Sequence, residues 1–214
     1  MAFVNEVYNY IENNYKPNEP IFLSELNNIL NMKSVYVRQQ MKKLTESGLL
    51  KRFDSGIYYI PKKSMFRSGS TLSVDEVIKK KYLMNGMSRC GYVGGVLFAN
   101  QLGLTTQVPS VYEIYTNKAT TEYRETQLAN LRIILRKPYC KIDEENAPTL
   151  QLLDLLKEIV DISEIDGKEL TNILTNYMKT KEIRFDSMKP FLPFYPERIY
   201  RNMYEVGLLN GIST

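Results

Sequence analysis

The chain has 214 residues, of which 43% are hydrophobic and 24% charged, with a net charge of +4 and no histidine. This length suits one large domain or two small ones, and the apolar content is typical of a soluble globular protein. The lack of histidine excludes imidazole-based catalytic dyads and triads and histidine metal sites, and no glycine-rich loop ends in Gly-Lys-Ser/Thr, which excludes a P-loop nucleotide site.

The apolar runs, the first residues, the cysteines and the carboxylates together predict a cytoplasmic protein without catalytic chemistry. No apolar run approaches the roughly 20 residues that span a bilayer, and residues 1–10 lack the pattern of a signal peptide. Cys90 and Cys140 are far apart and lack metal-ligand spacing, so we expect two reduced, buried thiols and no metal. The carboxylates are scattered without an evident acid–base pair. We therefore expect no enzymatic activity and no cofactor.

The first elements along the chain are predicted to be two helices and one short strand. Residues 3–14 have helical periodicity, and residues 16–20 form a loop. Residues 21–23 are apolar and are predicted to be a short strand that pairs with a later hairpin. Ser24 is a suitable N-cap for a second helix that ends at Leu30, because its hydroxyl can accept a bond from an unpaired amide.

Residues 34–60 are predicted to form a helix followed by a hairpin. Ser34 is a suitable N-cap, and Gly48 can adopt the left-handed conformation that ends a helix. The stripe of this helix that should face a core consists of Val37, Met41 and Leu44. Strands are predicted at residues 49–53 and 57–60, joined by a short loop that contains a glycine.

Positive charge is concentrated in the same stretch. Nine Lys and Arg residues but only two acidic residues lie between Lys33 and Arg67, whereas the chain after Arg67 carries 18 of each sign. Binding to phosphates requires such a local excess. The helix and hairpin resemble the recognition helix and wing of winged helix-turn-helix domains, in which the helix enters the major groove. The alternative is a charged face that contacts only solvent.

The outward face of this helix is predicted to read base pairs. Arg38 can bond guanine, Gln39 can bond adenine, and Val35 can contact a thymine methyl group. Lysines of the helix and hairpin are expected to contact phosphates. The full set of expected DNA-binding residues is Ser34, Val35, Tyr36, Arg38, Gln39, Lys42, Lys43, Lys51, Arg52, Ser55, Tyr58, Lys62 and Lys63.

The second half of the chain predicts a mixed domain that ends in helices. Ser73 and Glu76 form a capping-box pattern, flanked by the apolar pair Leu72 and Val77, at the start of a helix that runs to about Met84. A further helix is predicted at residues 92–102, strands at 111–116, 122–125 and 130–136, and helices over 147–214. In the last group, Pro148 lies in a first turn, Asp166 is a cap, and the apolar stripe of the first helix is Leu150, Leu153, Leu156, Ile159 and Val160.

The predicted fold class is α+β with two domains. A winged helix-turn-helix domain spans residues 1–66 and a linker spans 67–72. A mixed domain spans 73–214, with helices and a small sheet at 73–140 and helices alone at 147–214. Gly91, Gly94 and Gly95 are expected to allow close helix packing rather than to bind phosphate.

Residues 88–138 carry a resemblance to a known family. The run from Ser88 to Tyr92, the segment GLTTQVP at 103–109, and the segments VYEIYTN and RIILRKP resemble the middle region of AbiEi-type antitoxins of type IV toxin–antitoxin systems. The resemblance covers roughly residues 1–140. It implies an N-terminal domain that binds inverted repeats in its own promoter and represses the operon, and a second domain that supports antitoxin activity and cooperative or dimeric DNA binding.

The resemblance also implies a functional partner and a role in phage defence. The partner is a nucleotidyltransferase-like toxin, whose effect the antitoxin opposes without forming a stable complex, so direct contact is left open. One alternative is a stand-alone winged-helix transcriptional regulator whose second domain dimerises or senses a ligand. Another is a nuclease or restriction accessory that uses the winged helix only for targeting.

A second surface for an anionic ligand or a partner is a further hypothesis. Arg132 and Arg136 share one strand face, and the surface would bind a toxin, RNA or DNA. The residues assigned to it are Arg89, Arg124, Arg132, Arg136, Lys137, Arg198 and Arg201. The last two lie in a terminal helix that also carries tyrosines, and both residue types are favoured at interfaces. The alternatives are ordinary pairing with Glu113, Glu122 or Glu125, and helix packing.

Overall fold

The computed structural model describes residues 6–62 and 71–209 and shows an α+β protein. The chain divides into two compact units, residues 1–81 and 82–214. The sequence predicts that the helix after residue 73 belongs to the second domain. That helix belongs to the first unit, where the Lys80 ammonium donates to the Pro20 carbonyl at 2.8 Å and to Glu19 at 3.1 Å. Most of the predicted linker lies outside the described residues.

The first unit has the predicted order of elements. They are α1 (Glu6–Asn14), β1 (Ile21–Phe22), α2 (Leu23–Ile29), α3 (Ser34–Glu46), β2 (Lys51–Asp54) and β3 (Ile57–Tyr59). The three strands form one antiparallel sheet in the order β1-β3-β2. Ile21 pairs with Tyr58 and Phe22 pairs with Ile57, which confirms that the short strand joins the hairpin.

The core of this unit forms around the inward stripe of α3. Val37 and Met41 are fully buried and Leu44 is buried, as predicted, and they pack with Val7 and Ile11 of α1. The helix ends as expected, because Gly48 has a φ of +77° and the Leu50 amide donates back to the Leu44 carbonyl. Both predicted serine caps are wrong, since the N-cap positions are Lys33 for α3 and Phe22 for α2.

The next helix extends nearly as far as predicted, although its second half is not α-helical. Ser73 is the N-cap of α4 (Val74–Ile78), and its hydroxyl accepts from the Asp75 amide at 3.2 Å, which is a simple cap rather than a reciprocal capping box. The helix continues as a π-helical segment, Lys79–Leu83. The chain then forms a small hairpin of β4 (Met84–Asn85) and β5 (Ser88–Arg89).

The second unit contains a four-stranded sheet. Its strands are β6 (Gly91–Gly94), β7 (Val111–Thr116), β8 (Tyr123–Leu128) and β9 (Leu131–Arg136), in the order β6-β7-β9-β8. Strands β7 and β9 are parallel, whereas the other neighbours are antiparallel. The helix predicted at 92–102 is therefore wrong in its first part, and α5 begins only at Gly95 and ends at Gln101. Pairing with β7 overrides the local helical pattern of this stretch.

Helices complete the second unit. They are α6 (Ala147–Ile162), α7 (Gly167–Thr180), α8 (Phe185–Met188) and α9 (Arg198–Glu205), with a 3-10 turn at Leu192–Phe194. Pro148 lies in the first turn of α6, as predicted. The predicted stripe of α6 is buried except for Val160, which is 57% exposed. Within residues 6–62 and 71–209, no helix has the length and apolar character that crossing a membrane requires.

Candidate nucleic-acid interface

The outward face of α3 is an exposed cationic surface, as the sequence predicts. Arg38, Gln39 and Lys42 are exposed, and Val35 is 65% exposed although it is apolar. Their spacing along the helix places these side chains on one face, opposite the buried stripe. Tyr36, which is 43% exposed, flanks this face together with the exposed Lys43.

Few carboxylates neutralise this face. The Lys42 ammonium lies 3.8 Å from Glu46, one turn later, and both side chains are largely solvent-exposed. Such an exposed pair contributes little and can exchange readily for another anion. No ion pair of Arg38 or Lys43 occurs in the described part of the chain. The face can therefore offer cations to an anionic ligand without first breaking a buried contact.

Ser34 has a different role from the predicted one. It is the first helical residue rather than the N-cap, and it is only partly exposed. Its hydroxyl accepts from the Asn27 amide nitrogen of α2 at 3.3 Å. The preceding Lys33 adopts the extended conformation expected at an N-cap. Ser34 thus links α2 to the start of α3.

The hairpin adds one exposed cation beside a tight turn. Arg52 is exposed, and its Nε donates to the Asp54 carbonyl at 3.2 Å. Gly56 has a φ of +71°, as the predicted loop requires, and the exposed Ser55 lies at the tip. A register shift between Arg52 and Asp54 bends this strand. The guanidinium is therefore held near the tip of the hairpin.

Lys51 and Tyr58 of the hairpin are less exposed than the sequence predicts. Lys51 is partly buried and pairs across the ladder with Tyr59. Tyr58 is partly buried because it packs against the core of the first unit. Lys62 is exposed, and its backbone amide donates to the Asn18 side chain at 3.4 Å. Lys63 lies outside the described residues.

The hypothetical second surface is largely self-neutralised. Arg132 pairs with Glu125 at 3.3 Å, Arg136 pairs with Glu113, and Lys137 pairs with Glu122 at 3.7 Å. These are the pairings that the sequence offered as the alternative to an anion-binding role. The register explains the first two, because Glu113 and Glu125 both align with Ile134, between Arg132 and Arg136 on β9. The Tyr123 hydroxyl and Arg132 both lower the pKa of Glu125.

The other members of that set are dispersed. Arg124 aligns with Leu135, so it projects from the sheet face opposite to Arg132 and Arg136. Arg89 lies in the β4–β5 hairpin. Arg198 lies 3.8 Å from Glu158 of α6, and Arg201 pairs with Glu205 at 2.7 Å within α9. The structure does not gather these cations into one surface.

The second unit contains a buried polar cluster that was not predicted from the sequence. Asp154 of α6 is 3% exposed and Lys157 is 6% exposed, and their charged groups are 3.4 Å apart. The Tyr92 hydroxyl donates to Asp154 at 2.5 Å, and the Lys157 ammonium donates to the Tyr115 hydroxyl at 3.0 Å. Burial raises the pKa of Asp154 to about 6. Three charged residues in the largely apolar stretch LQLLDLLKEIV were the signal for it.

This cluster stabilises a contact between the sheet and α6. The Asp154 oxygen that accepts from Tyr92 also lies 3.4 Å from the Tyr195 hydroxyl. Each charged group therefore has partners inside the protein, as buried ions require. Both cysteines are free, but only Cys90 is buried as predicted, since Cys140 is partly exposed. The described residues contain no group of His, Cys, Asp and Glu that could hold a metal.

Comparisons with known proteins do not assign this chain to a family. The sequence matches no model of a protein family, and a search of curated proteins finds no match.

Proposed function

We propose that the first unit binds double-stranded DNA as a winged helix and that the protein represses transcription of its own operon. The observation that carries this proposal is the α3 face, where Arg38, Gln39 and Lys42 are exposed together above a buried stripe. A helix of this width fits the major groove. The adjoining hairpin presents Arg52 for the neighbouring backbone or minor groove.

The test of DNA binding is a gel-shift titration with the full chain and the DNA upstream of its gene. We expect binding at low salt, with tighter binding to upstream DNA than to a random duplex of equal length. Two double variants each remove two lysines. The test variant is on α3 (Lys42→Ala with Lys43→Ala), and its matched control is in the second unit (Lys168→Ala with Lys181→Ala), where both lysines are exposed. The first should weaken binding and the second should not. Equal weakening by both variants would refute an interface on α3.

We further propose that the repressor acts in the cytoplasm as the antitoxin of a type IV system. This part is supported by the resemblance of residues 88–138 to AbiEi-type antitoxins. The expected partner is a nucleotidyltransferase-like toxin encoded beside it. Co-expression with the adjacent open reading frame should restore growth to cells that the toxin arrests. A neighbouring gene that is harmless when expressed alone would instead favour a stand-alone regulator.

A further inference from the structure

A surface cavity of about 400 Å³ opens in the second unit, on the C-terminal side of β7 and β9. Its lining residues are Asn117, Ala119, Lys137, Pro138, Tyr139 and Lys141. The volume falls within the usual range for small-molecule sites. Among these lining residues two are lysines and none is acidic, so the cavity combines a positive rim with one aromatic wall.

The two loops that form the cavity are joined to each other. The Asn117 amide nitrogen donates to the Ile142 carbonyl at 2.7 Å, and the Ile142 amide donates back to the Asn117 oxygen at 2.9 Å. Both ends of one side chain thus hold the loop after β7 against the loop after β9. A cavity with fixed walls loses less conformational entropy when it binds a ligand.

Tyr139 supplies a ring with one supported side. Its ring centroid lies 4.7 Å from that of Tyr195, and the Lys157 ammonium lies 5.5 Å from its centroid. Tyr195 and Lys157 are both buried, so these contacts are on the inner side of the ring. Tyr139 nevertheless remains 43% exposed and lines the cavity. A planar ring that is supported from behind is suited to stack against a flat aromatic ligand.

The lysines provide the complementary contact for an anion. Lys141 is exposed and has no ion pair in the described part of the chain. Lys137 pairs with Glu122 at 3.7 Å, but the Glu122 side chain is 83% exposed. An exposed pair of this length is weak, so an incoming phosphate can replace the carboxylate. The cavity therefore presents two cations and one aromatic platform to the same ligand.

We propose that this cavity binds a nucleoside monophosphate, with its base on Tyr139 and its phosphate on Lys137 and Lys141. Neither an isolated phosphate nor a nucleoside uses both features. Stacking on an aromatic ring tolerates every base, so the class of ligand is assigned rather than one nucleotide. This inference is independent of the proposed DNA-binding function, because it concerns only the second unit.

The experiment is a calorimetric titration of the full chain with AMP, adenosine and inorganic phosphate in separate runs. We expect AMP to bind about tenfold more tightly than adenosine or phosphate. Binding should also shift the adenine ring protons upfield, because the tyrosine ring lies over them. AMP binding no tighter than that of phosphate, or no AMP binding at millimolar concentration, would overturn the proposal. It would also be overturned if an oligonucleotide binds while AMP does not.

Variants test each wall of the cavity. Tyr139→Leu should weaken AMP binding about tenfold, while Tyr139→Phe keeps the ring and should bind normally. Lys137→Ala with Lys141→Ala should weaken binding by about tenfold or more. The charge-matched control, Lys168→Ala with Lys181→Ala, should have no effect. Glu122→Gln should strengthen binding because it removes the competing carboxylate, and weaker binding in that variant would count against the phosphate position.

Discussion

At the scale of single residues, exposure separates the candidate base readers from the structural residues of α3. Val35 and Val37 are two positions apart, yet the first is 65% exposed and the second is fully buried. The same helix therefore holds the core with one face and presents Arg38 and Gln39 with the other. Substitutions on the outward face should change DNA binding with little effect on folding.

Arg38→Ala and Lys43→Ala should have different effects on DNA recognition. Arg38 is assigned to a base, so its loss should reduce discrimination against altered sites by about 1–3 kcal/mol. Lys43 flanks the helix face and is assigned to phosphate, so its loss should weaken all sequences alike. Gel-shift titrations of both variants on operator and random duplexes measure the ratio. A uniform loss for Arg38→Ala would contradict its assignment to a base.

Lys157→Met should make stability strongly dependent on pH. It leaves Asp154 buried without its cation, which should cost about 3–5 kcal/mol where the carboxylate is ionised. The pKa of Asp154 is already raised to about 6 by burial, and loss of Lys157 should raise it further. A raised folded-state pKa means that stability is retained at low pH and lost as pH rises through that value. Urea unfolding at pH 5 and at pH 8 should show the larger loss at pH 8.

The double variant is the control for that prediction. Asp154→Asn together with Lys157→Met removes both charges, so most of the extra loss at pH 8 should disappear. A loss from Lys157→Met that is equal at both pH values would mean that packing, rather than charge, explains the effect.

At the scale of elements, the strand β6 depends on glycines that allow close approach to β7. A Cβ atom on Gly91 would lie 2.7 Å from the backbone oxygens of both Tyr82 and Tyr115. One on Gly94 would lie 2.6 Å from the Tyr115 ring. Close packing at Gly91 and Gly94 is therefore present, but it is packing between strands and not the predicted helix packing. They are needed where a strand, rather than a helix, approaches its neighbour.

Gly91→Ala should destabilise the second unit by about 1–3 kcal/mol, because its methyl group would meet backbone atoms that can move only by distorting the sheet. Thermal unfolding followed by circular dichroism measures this change. The matched control is Gly103→Asn, since Gly103 has a φ of +75° but open space around it, and asparagine tolerates that conformation. Similar losses in the two variants would show that the close contact is not the cause.

Over the full chain, the two units differ in how many of their cations are exposed and how many are paired with carboxylates. The first unit keeps exposed cations on α3 and the hairpin, while many cations of the second unit are paired with carboxylates, as for Arg132 and Arg136. DNA binding by the full chain should therefore depend on salt through the first unit alone. The second unit should contribute little to the electrostatic part of the affinity.

The salt dependence of DNA binding should report the number of phosphates contacted. Each neutralised phosphate adds about −0.9 to the slope of log K against log salt concentration. Lys42→Ala with Lys43→Ala should reduce the magnitude of the slope by about 2, and Arg132→Ala with Arg136→Ala should leave it unchanged. Fluorescence anisotropy across a salt series measures both slopes. A shallower slope in the second variant would show that the sheet also contacts DNA.

Features that depend on local pattern were predictable from the order of the residues alone. The inward stripe of Val37, Met41 and Leu44 follows from helical periodicity, and the turn at Gly56 follows from backbone sterics. The strand at residues 111–116 likewise follows from its β-branched and aromatic composition. In each case the residues close by in the chain are enough to produce the observed local structure. The outward residues of α3 were predictable for the same reason, since a helix with one buried face has a defined opposite face.

Features that depend on residues distant in the chain could be read only from the folded protein. Residues 91–94 are a strand because β7 lies beside them, and Ser34 begins α3 with its hydroxyl accepting from Asn27 of α2. The pairing of Arg136 with Glu113 and the burial of Asp154 beside Tyr92 both join separate segments. Such contacts arise when the elements pack, so local periodicity carries no record of which partners they bring together.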